Sequence, residues 1–296
     1  MGNKKGPDFL ERIKSNFQNM SRGQKALAEY ITSNYDKAAF LTAAKLGDIV
    51  GLSESTVVRF AYALGYQGYP ELQNAIQEML KDKLTTVARL ELSAEQMQQG
   101  SILQKVMQAD MKNMRMTLED ISEDTFKKAV DAILKAERIY LIGLRSATSL
   151  AHFLGYYLNM ILRNVNITSP SIGDIFEQLL AVKKEDLVIG ISFPRYTRTT
   201  VEAFEFAKKQ GAATIAITDS ALSPMGQKAD LTLTAKSNIN SFVDSFVAAM
   251  SVLNALIIAV AMREKSRVSK TLATLEEVWE QHHVFVAKEE NGHLMI

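Results

Sequence analysis

The chain contains no cysteine, which excludes disulfides, thiolate metal sites and cysteine nucleophiles at once. Histidine is scarce: His152, His282, His283 and His293 are scattered without metal-ligand spacing, so no metal site and no cofactor are expected. An excess of charge of either sign is also missing, with 34 Lys and Arg against 33 Asp and Glu. The molecule as a whole is no polycation, and any contact with nucleic acid has to come from a local patch. From Met1 to Lys83 there are 11 basic and 9 acidic side chains, a balance of +2 (11 − 9) and a weak electrostatic footprint for DNA. The N-terminal MGNKKGPDF has lysines but no apolar stretch behind them, so no secretory signal is expected.

One uncharged run is present. Phe246 to Met262 comes close to the ~17-residue lower limit of a membrane span. It carries Ser251, Asn254 and several alanines, and Asp244 and Arg263 bracket it. That pattern suits a helix buried in a core or a subunit interface. We expect no membrane partner and a cytoplasmic location.

At ~100–200 residues per domain, 296 residues favour two domains. Their textures differ. From Phe9 to Lys83 apolar residues recur at helical spacing, as in Leu27, Ile31 and Tyr35, and no convincing strand is found. From Glu137 to Ala235 short apolar runs alternate with amphipathic stretches. The runs are Ile139–Ile142, Val165–Thr168, Leu187–Ile191, Thr214–Ile217 and Leu231–Thr234. Runs this apolar suit strands covered on both faces, and intervening helices imply right-handed crossovers in an α/β sandwich. Between the two regions, Leu84 to Asp120 is rich in Gln, Met and charge, with no Pro and with Gly100 as the one clear breaker. It reads as a connecting helix or helix pair. The expected domains are 1–83, a helical linker 84–120, and 121–296.

The segment from Leu41 to Phe60 carries the chemistry of the first domain. Thr42 is a good N-cap for a short helix reaching Val50. Gly51 supplies a tight turn, and Ser53 can cap a second helix with Val57, Phe60 and Ala61 on its apolar face. Helix, glycine turn, helix is the helix-turn-helix arrangement, although an ordinary helical hairpin shares it. In such a unit the start of the second helix enters the major groove. Ser53, Glu54, Ser55 and Thr56 would stand there, with Arg59 one turn on to read guanine or clamp a phosphate, and Lys45 placed for the DNA backbone.

The longer stretch LTAAKLGDIVGLSESTVVRFAYALGYQGYPEL closely resembles the N-terminal domain of the RpiR-type (sugar isomerase regulator) family. That family shows Gly-hydrophobic-Ser-x-x-Thr-Val-x-Arg-Phe, then Leu-Gly-aromatic-x-Gly-aromatic. Here these are Gly51, Leu52, Ser53, Thr56, Val57, Arg59 and Phe60, then Leu64, Gly65, Tyr66, Gly68 and Tyr69. Tyr66 and Tyr69 are expected to pack the turns rather than stack on bases. The region from Ile121 to Met262 resembles the sugar isomerase (SIS) domain that follows in this family. The fold class implied is an all-α helix-turn-helix domain plus an α/β domain of SIS type with a five-stranded parallel sheet.

Ligands of open α/β sheets bind beyond the carboxyl ends of the strands. Two such ends stand out. After the first run come Gly143, Leu144, Arg145, Ser146 and Ala147, where a glycine turn and a helix starting near Ser146 would seat an anion beside the Arg145 guanidinium. After the third run come Ser192, Phe193, Pro194, Arg195, Tyr196 and Thr197. The resemblance implies a Ser-x-Ser-Gly-x-Thr phosphate loop there. Ser192 and Thr197 match it, Pro194 replaces the second serine, and Arg195 replaces the glycine. The seat looks altered rather than lost, and both arginines could also be structural ion partners. The segment after the fourth run, Thr218-Asp219-Ser220, could also face a ligand.

No histidine adjoins either loop, and Glu202 and Glu205 at helical spacing could form a solvated face. No catalytic residue is assigned. The expectation is a transcriptional regulator that binds a double-stranded DNA operator as a homodimer or tetramer and senses a phosphorylated or acidic sugar. The alternatives are a sugar-phosphate isomerase with an accessory helical domain, and a protein-interaction module.

Overall fold

The structure, a computed structural model, describes residues 9–80, 85–97, 100–170, 173–237 and 241–286. These residues form two compact units, Met1–Ala109 with Asn238–Asp244, and Asp110–Ser237 with Ser245–Ile296. The division falls at 109/110, inside the expected linker, and a short segment from the second half of the chain belongs to the first unit. His293 lies outside the described residues, and His152, His282 and His283 are exposed.

The first unit is helical: α1 (Phe9–Asn16), α2 (Arg22–Ser33), α3 (Tyr35–Ala38), α4 (Ala43–Val50), α5 (Glu54–Ala63), α6 (Tyr69–Leu80) and α7 (Thr86–Met97). Ser21 and Gln24 form a reciprocal capping box that starts α2. Leu27, Ile31, Leu46, Val57, Phe60, Leu72 and Ile76 are fully buried in one core. Each such side chain contributes ~1.5–3 kcal/mol relative to exposure. On α7, Arg89 is 3% exposed and its guanidinium pairs with Asp244 at 3.0 Å.

α6 anchors the entry to the helix pair α4–α5. The Tyr69 hydroxyl and the Gln73 amide donate to the Leu41 carbonyl at 2.8 and 2.7 Å, and Gln77 donates to the Ala39 carbonyl at 2.8 Å. Tyr69 is buried, which pushes its phenol up to about 12. The folded value is raised above the unfolded one, so the contribution is complete below pH ~10, the ordinary tyrosine pKa. It is lost as pH rises towards 12. Tyr69→Phe should remove this part of the stability loss between those values. Ultraviolet phenolate titration alongside denaturant melts checks it; equal slopes in both proteins would refute it.

α8 (Ile102–Asp120) follows Gly100, whose φ of 85° ends the preceding segment. It is one uninterrupted helix, and the division between the units falls within it. The stretch expected as a linker holds two helices, α7 within the first unit and α8 across the division.

The second unit continues with α9 (Glu123–Lys135), β1 (Ile139–Gly143), α10 (Thr148–Leu162), β2 (Val165–Ile167), α11 (Ile175–Gln178), β3 (Leu187–Ile191), α12 (Arg198–Lys209), β4 (Ala213–Thr218), β5 (Leu231–Thr234), α13 (Val247–Arg263) and α14 (Lys265–Gln281). All strand pairs are parallel, in the order β2-β1-β3-β4-β5. Alternate residues enter two cores. Ile139, Leu141, Ile189 and Ile217 pack with α9, α10 and α13, while Tyr140, Ile142, Val188 and Ala216 pack with α11 and α12. Burial on both faces is why the central strands β1, β3 and β4 read as nearly unbroken apolar runs, while the edge strands β2 and β5 are partly exposed.

The uncharged run forms α13. Ala248, Ala249, Val252, Leu253, Leu256, Ile257 and Val260 are buried on it, and the chain bends by 103° into α14. Among the described residues no single helix is long and apolar enough to cross a membrane.

Candidate functional site

The helix-turn-helix is built by close backbone packing. The Thr42 hydroxyl accepts from the Lys45 amide and caps α4. Gly51 ends α4 in the left-handed conformation, with φ 73° and ψ 36°. The turn then folds back, and the Leu52 amide donates to the Gly47 carbonyl at 2.8 Å. A Cβ at Gly47 would lie 2.5 Å from the Leu52 carbonyl oxygen. Gly47 is therefore a residue the turn requires, and the sequence reading passed over it.

On α5 the expected apolar face is buried: Val57, Phe60 and Ala61. The exposed start of the helix carries the hydroxyls. Ser53 occupies the N-cap position, but its side chain makes no capping bond. Its Oγ instead lies 2.9 Å from both Ser55 Oγ and Thr56 Oγ1. This corrects the expected cap: three neighbouring hydroxyls satisfy one another locally and remain near the surface. Arg59 folds back along the same face, its Nε 3.3 Å from the Ser55 carbonyl and its Nη2 3.5 Å from Thr56 Oγ1. Both bonds are long, so the guanidinium is weakly held. Lys45, Glu54 and Arg59 are exposed. Tyr66 and Tyr69 are buried, as expected of packing groups, and Arg12 lies 4.6 Å over the Tyr66 ring.

In the second unit the chain leaves β1 in one direction towards β2 and returns to β3 on the other side. The carboxyl ends of β1 and β3 therefore flank the topological switch point, where a crevice opens in such sheets. Arg145 and Arg195 follow these two strands. Both have left-handed backbone, with φ of 57° and 62°. Such a conformation is costly for a residue with a Cβ and clusters at functional sites. Both side chains are exposed.

Around Arg145 the turn is tight. Arg145–Ala147 form a single 3-10 turn and the α-helix begins at Thr148, two residues later than expected. A Cβ at Gly143 would lie 2.7 Å from the Ala147 carbonyl, so this approach needs glycine. Thr148 Oγ1 donates to the Gly143 carbonyl at 3.0 Å, and Ser149 Oγ donates to the Ser146 carbonyl at 2.8 Å. Ser146 itself is exposed.

In the second loop Ser192, Phe193 and Pro194 are buried, and the Phe193 ring lies 5.3 Å from that of Phe246. Tyr196 and Thr197 are half-buried, and Thr197 stands at the N-cap of α12 without a side-chain capping bond. The Tyr196 hydroxyl donates to Asp219 Oδ1 at 2.8 Å, so the loops after β3 and β4 are joined. Asp219 is 2% exposed. Its only signal in the sequence was its place in the segment after the fourth strand.

The two glutamates that could have served as a base are engaged elsewhere. Glu202 accepts from Arg198 at 2.6 Å, and this hydrogen bond raises the arginine's pKa. Glu205 pairs with Lys228. A cavity of about 550 Å³ lies at the opposite, amino-terminal edge of the sheet, beside Glu137, Lys184 and Asp186. There Asp186 is bound by Arg138 through two bonds of 3.2 and 3.0 Å, a structural ion pair that closes the base of the sheet.

A family model described as the helix-turn-helix domain of the rpiR family matches residues 8–83, and a SIS domain model matches 132–259. An HTH-type transcriptional regulator of Caldanaerobacter subterraneus is 26% identical over 278 residues, covering 92% of this chain and 96% of its own. The HTH-type transcriptional regulator HexR of Pseudomonas aeruginosa is 25% identical over 263 residues, with 86% and 90% covered. Among solved structures, the sugar isomerase domain of an RpiR transcription factor from Sphaerobacter thermophilus has 29% identity and a TM-score of 0.58, covering 60% of this chain and 99% of that one. The Vibrio vulnificus NanR protein, solved with ManNAc-6P, has 21% identity and a TM-score of 0.57, with 91% and 97% covered, and shares the fold. With both of its domains matched in the order the motifs imply, the chain belongs to the RpiR family of transcriptional regulators, a helix-turn-helix domain followed by a SIS domain.

Proposed function

We propose that this regulator binds operator DNA through α5 and that a phosphorylated or acidic sugar, held beyond β1 and β3, alters that binding. The observation that carries the reading is the pair of left-handed arginines, Arg145 and Arg195, on either side of the switch point. A backbone strain kept at two neighbouring strand ends is accounted for if each guanidinium is aimed at an anion. Ser146, Ser192, Tyr196 and Thr197 complete the assigned ligand set. ManNAc-6P in the NanR structure is a ligand of the same chemical class. On α5, Ser53, Glu54, Ser55, Thr56 and Arg59 address the bases, and Lys45 of α4 addresses a phosphate.

The protein carries no catalytic base in this reading, since Glu202 and Glu205 are held in ion pairs. It acts as a homodimer or a pair of dimers, so that two copies of α5 meet half-sites one helical turn apart or a multiple of it. An apolar groove of about 540 Å³ between α8, α9 and α13, lined by Met114, Leu118, Phe126 and Val252, supports self-association. We place the regulator in the cytoplasm, where its operator is.

The test is selection from a pool of random duplexes at fixed salt, followed by screening of sugar phosphates and sugar acids for their effect on the selected site. A near-palindrome and at least one active metabolite are expected. No enriched site, from folded protein at low salt, would sink the DNA-binding part. Arg195→Gly makes the ligand part specific. It should relieve the left-handed strain, gaining ~1 kcal/mol of stability. It should also weaken the active metabolite by ~1.5–3 kcal/mol, the scale of a charged hydrogen bond. Calorimetry and thermal melts measure the two effects. A fall in stability with unchanged metabolite affinity would make Arg195 a structural residue.

A further inference from the structure

Hydrogen bonds, joined by short stretches of chain, link the loop after β3 to α8. Tyr196 donates to Asp219 Oδ1 at 2.8 Å, and Thr218 Oγ1 lies 3.3 Å from the same oxygen. Thr218 ends β4 in register with Thr234, the end of β5, and its carbonyl accepts from the Ala235 amide at 2.8 Å. From there the chain runs on as Lys236 and Ser237 along a polar face of α8. Thr117 Oγ1 accepts from the Lys236 amide at 2.8 Å, and Asp120 pairs with Lys236 Nζ at 2.6 Å and accepts from Thr234 at 3.5 Å. Where the chain re-enters the second unit, Ser245 donates to Asp110 at 2.5 Å. Asp110, Asn113, Thr117 and Asp120 share one face by their helical spacing.

One member of that face is out of step with the others. Asn113 is 1% exposed, and neither its amide oxygen nor its nitrogen has a hydrogen-bond partner among the described residues. Buried amides in native proteins are nearly always paired, and a buried network with one open member is costly to keep as it stands. Contiguous bonds alone do not couple two places; an element with two discrete arrangements does.

We propose that the seam between α8 and the exit of β5 has two positions, and that ligand occupancy at Tyr196 and Asp219 selects between them. In the second position Asn113 is paired. The trigger rests on the sensing reading above; the seam itself does not. Asp219 acts as a positioning residue that ties Tyr196 to the ends of β4 and β5. α8 then carries the change, because the same helix continues back to Ile102, across the division between the units.

The experiment uses the full chain in two arms. Without ligand, Tyr196→Phe cuts the bond to Asp219. Hydrogen exchange at the α8 amides from 110 to 120 should then change by ~5-fold or more, the lower end of typical coupling. Asn113→Leu, which fixes the seam in its present position with an apolar group of similar volume, should abolish that response in the double variant. Unchanged exchange in Tyr196→Phe overturns the proposal. In the second arm glucose 6-phosphate, 6-phosphogluconate and inorganic phosphate are each added to the operator complex. An active probe should shift wild-type operator affinity by ~5–150-fold. Asn113→Leu should still bind that probe, with an affinity changed by no more than the coupling it has lost, and should lose the shift; keeping the full shift overturns the proposal. If no probe shifts the wild type, sensing of these ligands fails by itself, and the exchange arm still decides the seam. Thr117→Val, which cuts the bond to Lys236, replaces Asn113→Leu with the same expectations should the latter not fold.

Discussion

Gly47→Ala should abolish operator binding and destabilise the helical unit, although it adds one methyl group. The added Cβ would meet the Leu52 carbonyl at 2.5 Å, with the Glu54 amide at 3.4 Å. These neighbours are backbone, so no side chain can swing aside. The turn is closed on this position by the bond from the Leu52 amide to the Gly47 carbonyl. Relief has to come from opening the turn, and the turn fixes α5 against α4. Overpacking of this kind costs ~1–3 kcal/mol and sometimes more. For a unit of this size each kcal/mol lowers the melting midpoint by ~4–8 °C. Operator affinity should fall further than the loss of folded protein accounts for, because the surviving molecules present α5 at a changed angle. Gly51→Ala is the control. Its Cβ would meet nothing within 4 Å, so only the strain at φ 73° is added. Thermal melts and operator titrations on the two variants should separate. Equal, small effects would mean that the turn tolerates a side chain at 47.

Arg59→Ala should leave folding unchanged, within ~0.5 kcal/mol for an exposed side chain, and weaken operator binding by ~1–3 kcal/mol, or ~5–150-fold. Among the described residues the fold holds Arg59 through two long bonds to its own helix, and these are easily exchanged for contacts to DNA. The form of the loss distinguishes two roles. A guanine contact predicts relaxed preference at one operator position. A phosphate contact predicts uniform weakening and a salt slope lower by about 1. Titrations at several salt concentrations, against the selected site and single-base variants, resolve them. Undiminished binding would take Arg59 out of the interface.

The fold was legible because each of its devices is local. Apolar runs announced strands, and the structure gives all five, with the fully buried Ile139–Gly143 and Leu187–Ile191 almost residue for residue and the edge strands β2 and β5 only partly covered. Thr42 and Gly51 marked the ends of α4 by side-chain capping and left-handed geometry, both readable from residue type. Ser53 misled for a related reason. Its hydroxyl had a choice of partners, and the neighbouring Ser55 and Thr56 hydroxyls won over the backbone amides. What the sequence withheld depends on distant approach. Nothing local marks Gly47 as the seat of the Leu52 carbonyl. Nor does spacing show that Asp219 reaches Tyr196 across 23 positions. The arginines could be named as candidates for an anion seat but not as left-handed, because backbone conformation there is imposed by the turns around them.

The path of the chain also decides how the protein can be taken apart. The first compact unit is finished only by residues 238–244, which arrive after the whole sheet has been laid down. A single cut after Ala109 therefore yields a fragment that keeps Arg89, with its side chain 2% exposed, and lacks the Asp244 carboxylate that balances it. Removing one partner of a buried ion pair is among the costlier things that can be done to a folded chain. Exchange of DNA-binding halves between relatives meets the same difficulty. A transplanted 1–109 would bring its arginine to a host segment shaped for another helix, so recombination inside this gene has to move two separated stretches together to leave both parts intact.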